Sequence, residues 1–165
     1  VQTCALPILG DVECGLRQLE MAQVIDPELH WVPLYRSVLW CMLNRPELAM
    51  QSAHQALAQA PLAPWSGYAM GLAGHAAVFD HQPDLAVNWL ESSWRQQRHA
   101  SPTLRMLVVA HQMCGRHQLA RFFLHELLSL EPGLNARSYL GRTRAGHARR
   151  AEMAHWLMQA GLPMK

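Results

Sequence analysis

Apolar side chains recur at helical spacing through residues 44–61, NRPELAMQSAHQALAQAP. Pro46 stands near the start of this run and Pro61 at its end. Proline is tolerated in the first turn of a helix but stops one that would continue through it. Between the two prolines, Ala49, Ala53 and Ala56 fall on one face. The stretch therefore predicts a helix whose small side chains let a neighbouring helix approach its backbone closely.

The same pattern occurs in three other stretches, residues 10–27, 81–98 and 115–132. Each has a turn, a small residue, a large apolar residue and a helix end at matching offsets. The small residues are separated by 34, 37 and 34 positions and are Gly15, Ala49, Ala86 and Ala120. Self-similarity at a period near 34 residues predicts a solenoid of helical hairpins. We assign the extra length of the second interval to the linker at 61–64, which contains two prolines.

These four units resemble the tetratricopeptide repeat (TPR) family over roughly residues 1–132. The second helices carry the resemblance. In the first helices, Ser37 and Gly74 fill the small position and Trp40 the aromatic one that follows. The resemblance implies an all-α, TPR-like helical-hairpin solenoid of about three and a half repeats. It also implies a right-handed superhelix with a concave groove that binds proteins or peptides rather than catalysing a reaction.

The first unit matches the repeat only in part. Residues 1–9 cover just the last part of a first helix, so the pattern predicts an N-terminally truncated repeat within a longer protein. Residues 1–8 fit the repeat too poorly to support any inference, and we do not assume that they are native.

Residues 133–165 depart from the repeat and predict one or two C-terminal capping helices. A solenoid needs such a cap because its last hairpin would otherwise leave an apolar face in water. The segment carries six basic residues against one acidic residue, a balance of +5, whereas residues 1–132 carry −3. Two interpretations are open: a solvated capping helix, or a basic surface that docks against an acidic partner.

Over about 30 residues, this C-terminal segment also resembles the end of repeat regions attached to bacterial class III adenylate cyclases. Related repeat regions follow winged-helix transcriptional regulators. The sequence departs from that pattern at Met158 and Gln159, where a charged pair is common. The resemblance implies an alternative function, as a sensory or regulatory segment of a bacterial signalling protein.

Composition is typical of one helical domain. The 165 residues suffice for a substantial core. No stretch approaches the ~20 apolar residues of a membrane span, and no signal-peptide pattern is present. The four cysteines show no paired spacing, so we interpret them as reduced thiols in a cytoplasmic protein. A net charge of +2 does not indicate a nucleic-acid partner, and neither nucleic acid nor a membrane is expected to bind.

The sequence predicts no catalytic residue, cofactor or metal for this chain, although an upstream domain of a longer protein could be catalytic. The best metal-ligating cluster is His111, Cys114 and His117, of which the first two lie one helical turn apart. Structural zinc usually takes four ligands with a closely spaced pair, and neither CxxC nor HExxH is present. The sequence also has no GxSxG nucleophile motif, and no glycine-rich phosphate loop follows a predicted strand.

In the TPR family the first helix of each hairpin lines the concave groove, and this carries over by repeat position. The candidates are Trp31, Leu34, Val38 and Cys41 in unit two, Tyr68, Gly71, His75 and Phe79 in unit three, and Arg105, Val109 and Gln112 in unit four. Such a surface is aromatic and apolar, with Arg105 as a fixed charge for an incoming carboxylate. The alternative is that several of these side chains are buried between hairpins or under the C-terminal segment. The predicted partner is a protein, a peptide or another domain of the parent chain.

Overall fold

The computed structural model describes residues 12–141 and 149–165. Within these two ranges the chain forms nine helices and no strand. No helix in the same ranges is long and apolar enough to cross a lipid bilayer. In chain order the helices are α1 (Val12–Ile25), α2 (Trp31–Met42), α3 (Pro46–Gln59), α4 (Ser66–Phe79), α5 (Pro83–Gln96), α6 (Ser101–Met113), α7 (His117–Leu130), α8 (Ala136–Gly141) and α9 (Arg150–Ala160).

The helices pair into hairpins that stack in chain order. Helices α2 and α3, α4 and α5, and α6 and α7 form units two, three and four, and each unit also packs against the next. Helix α1 is the second helix of unit one and packs on α2. The rest of unit one, predicted for residues 1–9, lies outside the described residues. The first helices α2, α4 and α6 contact one another along the stack, so the predicted all-α hairpin solenoid is confirmed.

The turns inside units two, three and four share one backbone geometry. The backbone angle φ is 54° at Asn44, 54° at His81 and 69° at Gly115, which occupy the same repeat position. In unit two the N–H of Arg45 donates to the carbonyl of Trp40 at 2.9 Å. The equivalent bond is present in the other two turns. All three are therefore Schellman motifs, which satisfy the last carbonyls of the first helix and reverse the chain.

The small residues predicted from the repeat are buried in the second helices. Ala49, Ala86 and Ala120 are fully buried, and Gly15 is buried as well. In unit two the Ser37 hydroxyl donates to the carbonyl of Ala49 at 2.9 Å, which ties α2 to α3. A larger side chain at these positions would force the packed helices apart, because interiors are filled to crystal-like density.

Unit three shows why a glycine stands in its first helix. A β-carbon built on Gly74 would lie 2.4 Å from Cγ of Leu90 and 3.2 Å from the backbone nitrogen of the same residue. Helix α5 already occupies the space that any larger residue would need. The glycine therefore permits α4 and α5 to approach closely.

The longer repeat interval comes from two places. The linker between α3 and α4 covers residues 60–65, and α4 has 14 residues compared with 12 in α2 and 13 in α6. The extra length is thus shared by the linker and the helix that follows it. This corrects its assignment to residues 61–64 alone.

Helix α9 packs on the hairpin of unit four. It contacts both α6 and α7, and its residues Met153 and Leu157 are fully buried in the same cluster as Leu127. The N–H of Ala136 donates to the carbonyl of Pro163 at 2.8 Å, which fixes the chain end to the start of α8. These contacts keep the apolar face of unit four out of water.

Arg149, just before α9, links the cap to unit three. Its guanidinium donates to the carbonyl of Phe79, at the end of α4. Its Nη2 also lies 2.6 Å from Nε2 of His81. The Nε of Arg149 lies 3.5 Å from Oε2 of Glu152. The positive charge of Arg149 is therefore used against a helix C-terminus, where cations are favourable.

The neighbouring arginine is also used inside the chain. Arg150 Nη1 donates to the carbonyl of Leu140 at 2.8 Å. Arg142 and Arg144, which contribute to the predicted basic segment, lie outside the described residues. Arg149 and Arg150 are thus engaged inside the chain, and both interpretations of the basic segment stay predictions.

Candidate functional site

The first helices of units two, three and four border one pocket of about 250 Å³. Helices α2 and α4 supply most of its wall, and the beginning of α6 forms the remaining side. Its lining residues are Val38, Cys41, Met42, Tyr68, Gly71, Leu72, His75, Ala100, Pro102 and Thr103. Because it draws on three successive hairpins, the pocket lies on the inner face formed by the first helices.

Part of the predicted groove comes together in this pocket. Val38, Tyr68 and His75 line it, together with Cys41 and Gly71. Tyr68 is 41% exposed, whereas Cys41 is buried. The pocket thus runs from solvent into the interior. Its role in binding stays a prediction.

Four other predicted groove residues are buried: Leu34, Phe79, Val109 and Gln112. Phe79 and Val109 belong to the core cluster that the C-terminal helix completes. The side chain of Gln112 lies 2.5 Å from Nδ1 of His117, which joins the end of α6 to the start of α7. This corrects their assignment to the groove surface, and it matches the alternative interpretation of the pattern.

Trp31 does not line the pocket. It is partly buried in the cluster that α1 and α2 form around Leu16 and Leu19. Its ring packs edge-on against Tyr35, with ring centroids 5.7 Å apart and 80° between the planes. Trp31 therefore supports the junction of units one and two.

Arg105 already has a carboxylate partner. Its Nη2 lies 2.9 Å from Oε1 of Glu131, and the two side chains are only 24% and 16% exposed. Glu131 follows α7 in the chain, so the pair closes unit four internally. This corrects the prediction that Arg105 is a charge held ready for an incoming carboxylate.

Five lining residues were not predicted from the repeat pattern: Met42, Leu72, Ala100, Pro102 and Thr103. The last three lie where the chain enters α6, which begins at Ser101. Proline is favoured in the first turn of a helix, so Pro102 was the signal that could have located this start.

The pocket has no acidic or strongly basic side chain in its described lining. Among the described residues that line it there is no Asp, Glu, Lys or Arg. Burial raises the pKa of Cys41 to about 12, so its thiol stays protonated. Burial also raises the pKa of Tyr68, and the nearby Tyr35 and Cys41 groups raise it further. His75 packs edge-on against Phe79, with ring centroids 4.7 Å apart.

The histidines and cysteine considered as metal ligands face different surroundings. His111 is fully buried and stacks on Phe123, with ring centroids 5.2 Å apart and 7° between the planes. Cys114 instead approaches Asp84, at 3.7 Å. In the two ranges that the structure describes, no group of three or more His, Cys, Asp or Glu side chains is arranged to hold a metal ion.

His111 is a neutral core residue. Burial lowers its pKa below the ordinary 6.5, and the nearby Arg116 lowers it further. Glu91, whose carboxylate lies 3.9 Å from Nε2, acts in the opposite direction. Because the net shift is downward, the folded protein holds the imidazole uncharged at a pH where the unfolded chain begins to protonate it.

We expect stability to fall as the pH is lowered from about 7 to about 5, because the unfolded chain then binds a proton at His111 that the folded protein does not. The contribution of neutral His111 to the free energy of unfolding is complete well above pH 6.5 and is lost as the pH falls below it. Each unit by which the pKa differs between the folded and unfolded states is worth about 1.4 kcal/mol. Urea denaturation across this range should show a smaller acid loss for His111→Leu than for the parent. The exposed-histidine control His125→Gln should retain the full loss, and equal losses in parent and His111→Leu would contradict the assignment.

The comparisons with known proteins define the class of fold. No protein-family model matches the chain, and no curated protein matches it. Solved structures do match it, among them MamA and PilW, which are TPR-like helical proteins. The chain therefore has a TPR-like fold, as the repeat pattern predicted.

Three of the similar structures are informative. The crystal structure of MamA matches with a TM-score of 0.66 and 20% identity, over 92% of this chain and 87% of that one. A MamA RS-1 ArsTM double mutant matches with a TM-score of 0.67 and 16% identity, over 96% and 89%. PilW, a widely conserved type IV pilus biogenesis factor, matches with a TM-score of 0.50 and 19% identity, over 96% and 87%. At these identities the likeness establishes the fold.

Proposed function

We propose that this chain is a protein- or peptide-binding scaffold module that uses the inner face of its TPR-like solenoid. The partner is a segment of another protein or of another domain of the parent chain. The observation that carries the proposal is the pocket shared by α2, α4 and α6. Pockets of this kind, apolar with a few polar groups, are the usual binding sites of proteins.

The composition of the inner face supports this function. Tyr68 is an aromatic residue with its ring partly in solvent, and such residues often carry much of the binding energy at interfaces. Val38 and His75 are half-buried beside it. A partner that covers them would remove apolar surface from water without first unfolding any part of the module.

The construction of the units also supports a scaffold. The inner helices are fixed by Schellman turns at one end and by buried small residues such as Ala49 and Ala86 in the partner helices. The inner face is therefore ordered before a partner arrives, which lowers the entropic cost of association.

Replacing Tyr68 by alanine is expected to weaken peptide binding by at least about 1 kcal/mol while leaving the fold intact. The reason is loss of a partly exposed aromatic contact on the inner face. The measurement is isothermal titration of the full chain with a peptide selected on it from a random library. Phe122→Ala is the matched control, because Phe122 is a 49% exposed aromatic on the outer helix α7. The reverse pattern, with Phe122→Ala weakening binding and Tyr68→Ala not, would move the site to the outer face.

A further inference from the structure

We infer that the pocket between α2, α4 and α6 receives one neutral apolar side chain of aromatic or branched aliphatic size, projecting from the bound partner. This inference rests on the proposed function and adds the chemical class of the group that is recognised. It follows from the size of the pocket, from its neutral lining and from the internal pairing of the arginine on α6.

The size of the pocket suits a single large side chain. Its volume is about 250 Å³, whereas an engineered cavity of about 150 Å³ lined by apolar residues is enough to bind benzene. A phenyl, indole or leucine side chain therefore fits with its β-carbon at the opening. A whole helix or a folded loop does not, so the partner presents an anchor residue from a segment lying across the opening.

The charge of the pocket selects against ionised groups. The described lining residues include no Asp, Glu, Lys or Arg. An ionised carboxylate or ammonium entering it would lose its hydration without gaining a counter-ion. Arg105, the predicted partner for a carboxylate, is held by Glu131 at 2.9 Å. The pocket is therefore expected to bind a neutral side chain of the partner and not an acidic side chain or a chain terminus.

The buried polar groups of the pocket include a paired hydroxyl and a neutral thiol. The hydroxyl of Thr103 lies 3.2 Å from that of Ser93, and this pair is buried between α5 and α6. The thiol of Cys41 is buried and stays protonated. The base therefore contributes mainly packing surface. Tyr68 and Pro102, both exposed, form the part of the rim where the partner backbone would pass.

The test is a selection followed by an anchor series. Twelve-residue peptides are selected by display on the immobilised full chain, and the best is resynthesised with Phe, Leu, Ala, Glu or Lys at its most enriched position. Phe or Leu should bind best, Ala about tenfold or more weaker, and Glu or Lys weaker still. A peptide ending in a free carboxylate should bind no better than its amide.

Two variants locate the effect in the pocket. Ala100→Trp places an indole in the lining and should weaken the Phe peptide about tenfold or more, whereas Ala58→Trp, on the exposed outer face of α3, should leave it unchanged. Val38→Asp puts a negative charge in the wall and should invert the preference, so that Lys binds better than Phe. This inversion reports on the pocket even where the tryptophan variant fails to fold.

The outcomes separate the inference from the function on which it rests. Peptides whose enriched anchor is Glu, Lys or a free C-terminus, and whose binding ignores Val38→Asp, would overturn the apolar-anchor inference but keep the binding function. Failure to select any peptide sensitive to Tyr68→Ala would overturn the function as well. Light scattering is the third measurement: a dimer that Ala100→Trp dissociates would make a second copy of the chain the occupant and overturn the inference.

Discussion

Replacing Ala120 by glutamate is expected to destabilise the protein by about 3 kcal/mol or more, because it forces an acidic side chain into a packed site with no partner. Ala120 is fully buried and belongs to the core cluster shared by α6, α7 and the cap. The added side chain must either remain there, protonated and overpacked, or displace α7 from α6. Chemical denaturation followed by circular dichroism measures the loss.

The matched control for Ala120→Glu is Gln118→Glu. Gln118 is exposed two residues earlier on the same helix, in the first turn, where a negative charge is mildly favourable. We expect its stability to lie within about 0.5 kcal/mol of the parent. If Ala120→Glu were as stable as Gln118→Glu, the hairpin assignment of unit four would be lost.

Gly74→Ala is expected to cost about 2–3 kcal/mol, although alanine is the better helix former. The new methyl group would lie 2.4 Å from Cγ of Leu90 and 3.2 Å from its backbone nitrogen. The side chain of Leu90 can rotate away, but the backbone contact requires α4 and α5 to separate. Thermal unfolding of the variant and the parent gives the difference.

Gly133→Ala serves as the control for this substitution. A β-carbon on Gly133 meets nothing within 4 Å, and its φ is not in the left-handed region. We expect the stability of this variant to be close to that of the parent, or slightly higher because alanine reduces the conformational freedom of the unfolded chain. If the contact is responsible, Gly74→Ala should cost less in the Leu90→Ala background than in the parent, although Leu90→Ala is itself destabilising. An equal cost of Gly74→Ala in both backgrounds would mean that the loss arises elsewhere in unit three.

The helices and their packing were accessible from the sequence because they are encoded locally and then repeated. Prolines and turn residues mark the ends of α3 and α5, and small residues such as Ala49 recur at one offset where the second helices are buried. Repetition turns four weak local signals into one strong one. The family-level fold follows from that repetition without any knowledge of the partner.

The residues on the groove surface were only partly predictable, because one first helix exposes some of its side chains to solvent and buries others against the neighbouring hairpin. Val109 and Phe79 occupy groove-like positions by repeat offset, yet the cap helix and its neighbours bury them. Arg105 and Glu131 are 26 residues apart, and no periodic pattern connects them. Neither burial in this cluster nor pairing across 26 residues follows from the repeat offset.

The contact of Arg149 with the turn of unit three changes how the stack comes apart. In a solenoid whose hairpins contact only their neighbours, the repeats can unfold from one end, one unit at a time. Here Arg149, just before α9, is bound to Phe79 and His81 at the turn of unit three. His81 holds a left-handed backbone that glycine would adopt with less strain, and its side chain makes the contact. We therefore expect release of α9 to free the turn of unit three as well, so that the last two hairpins unfold together.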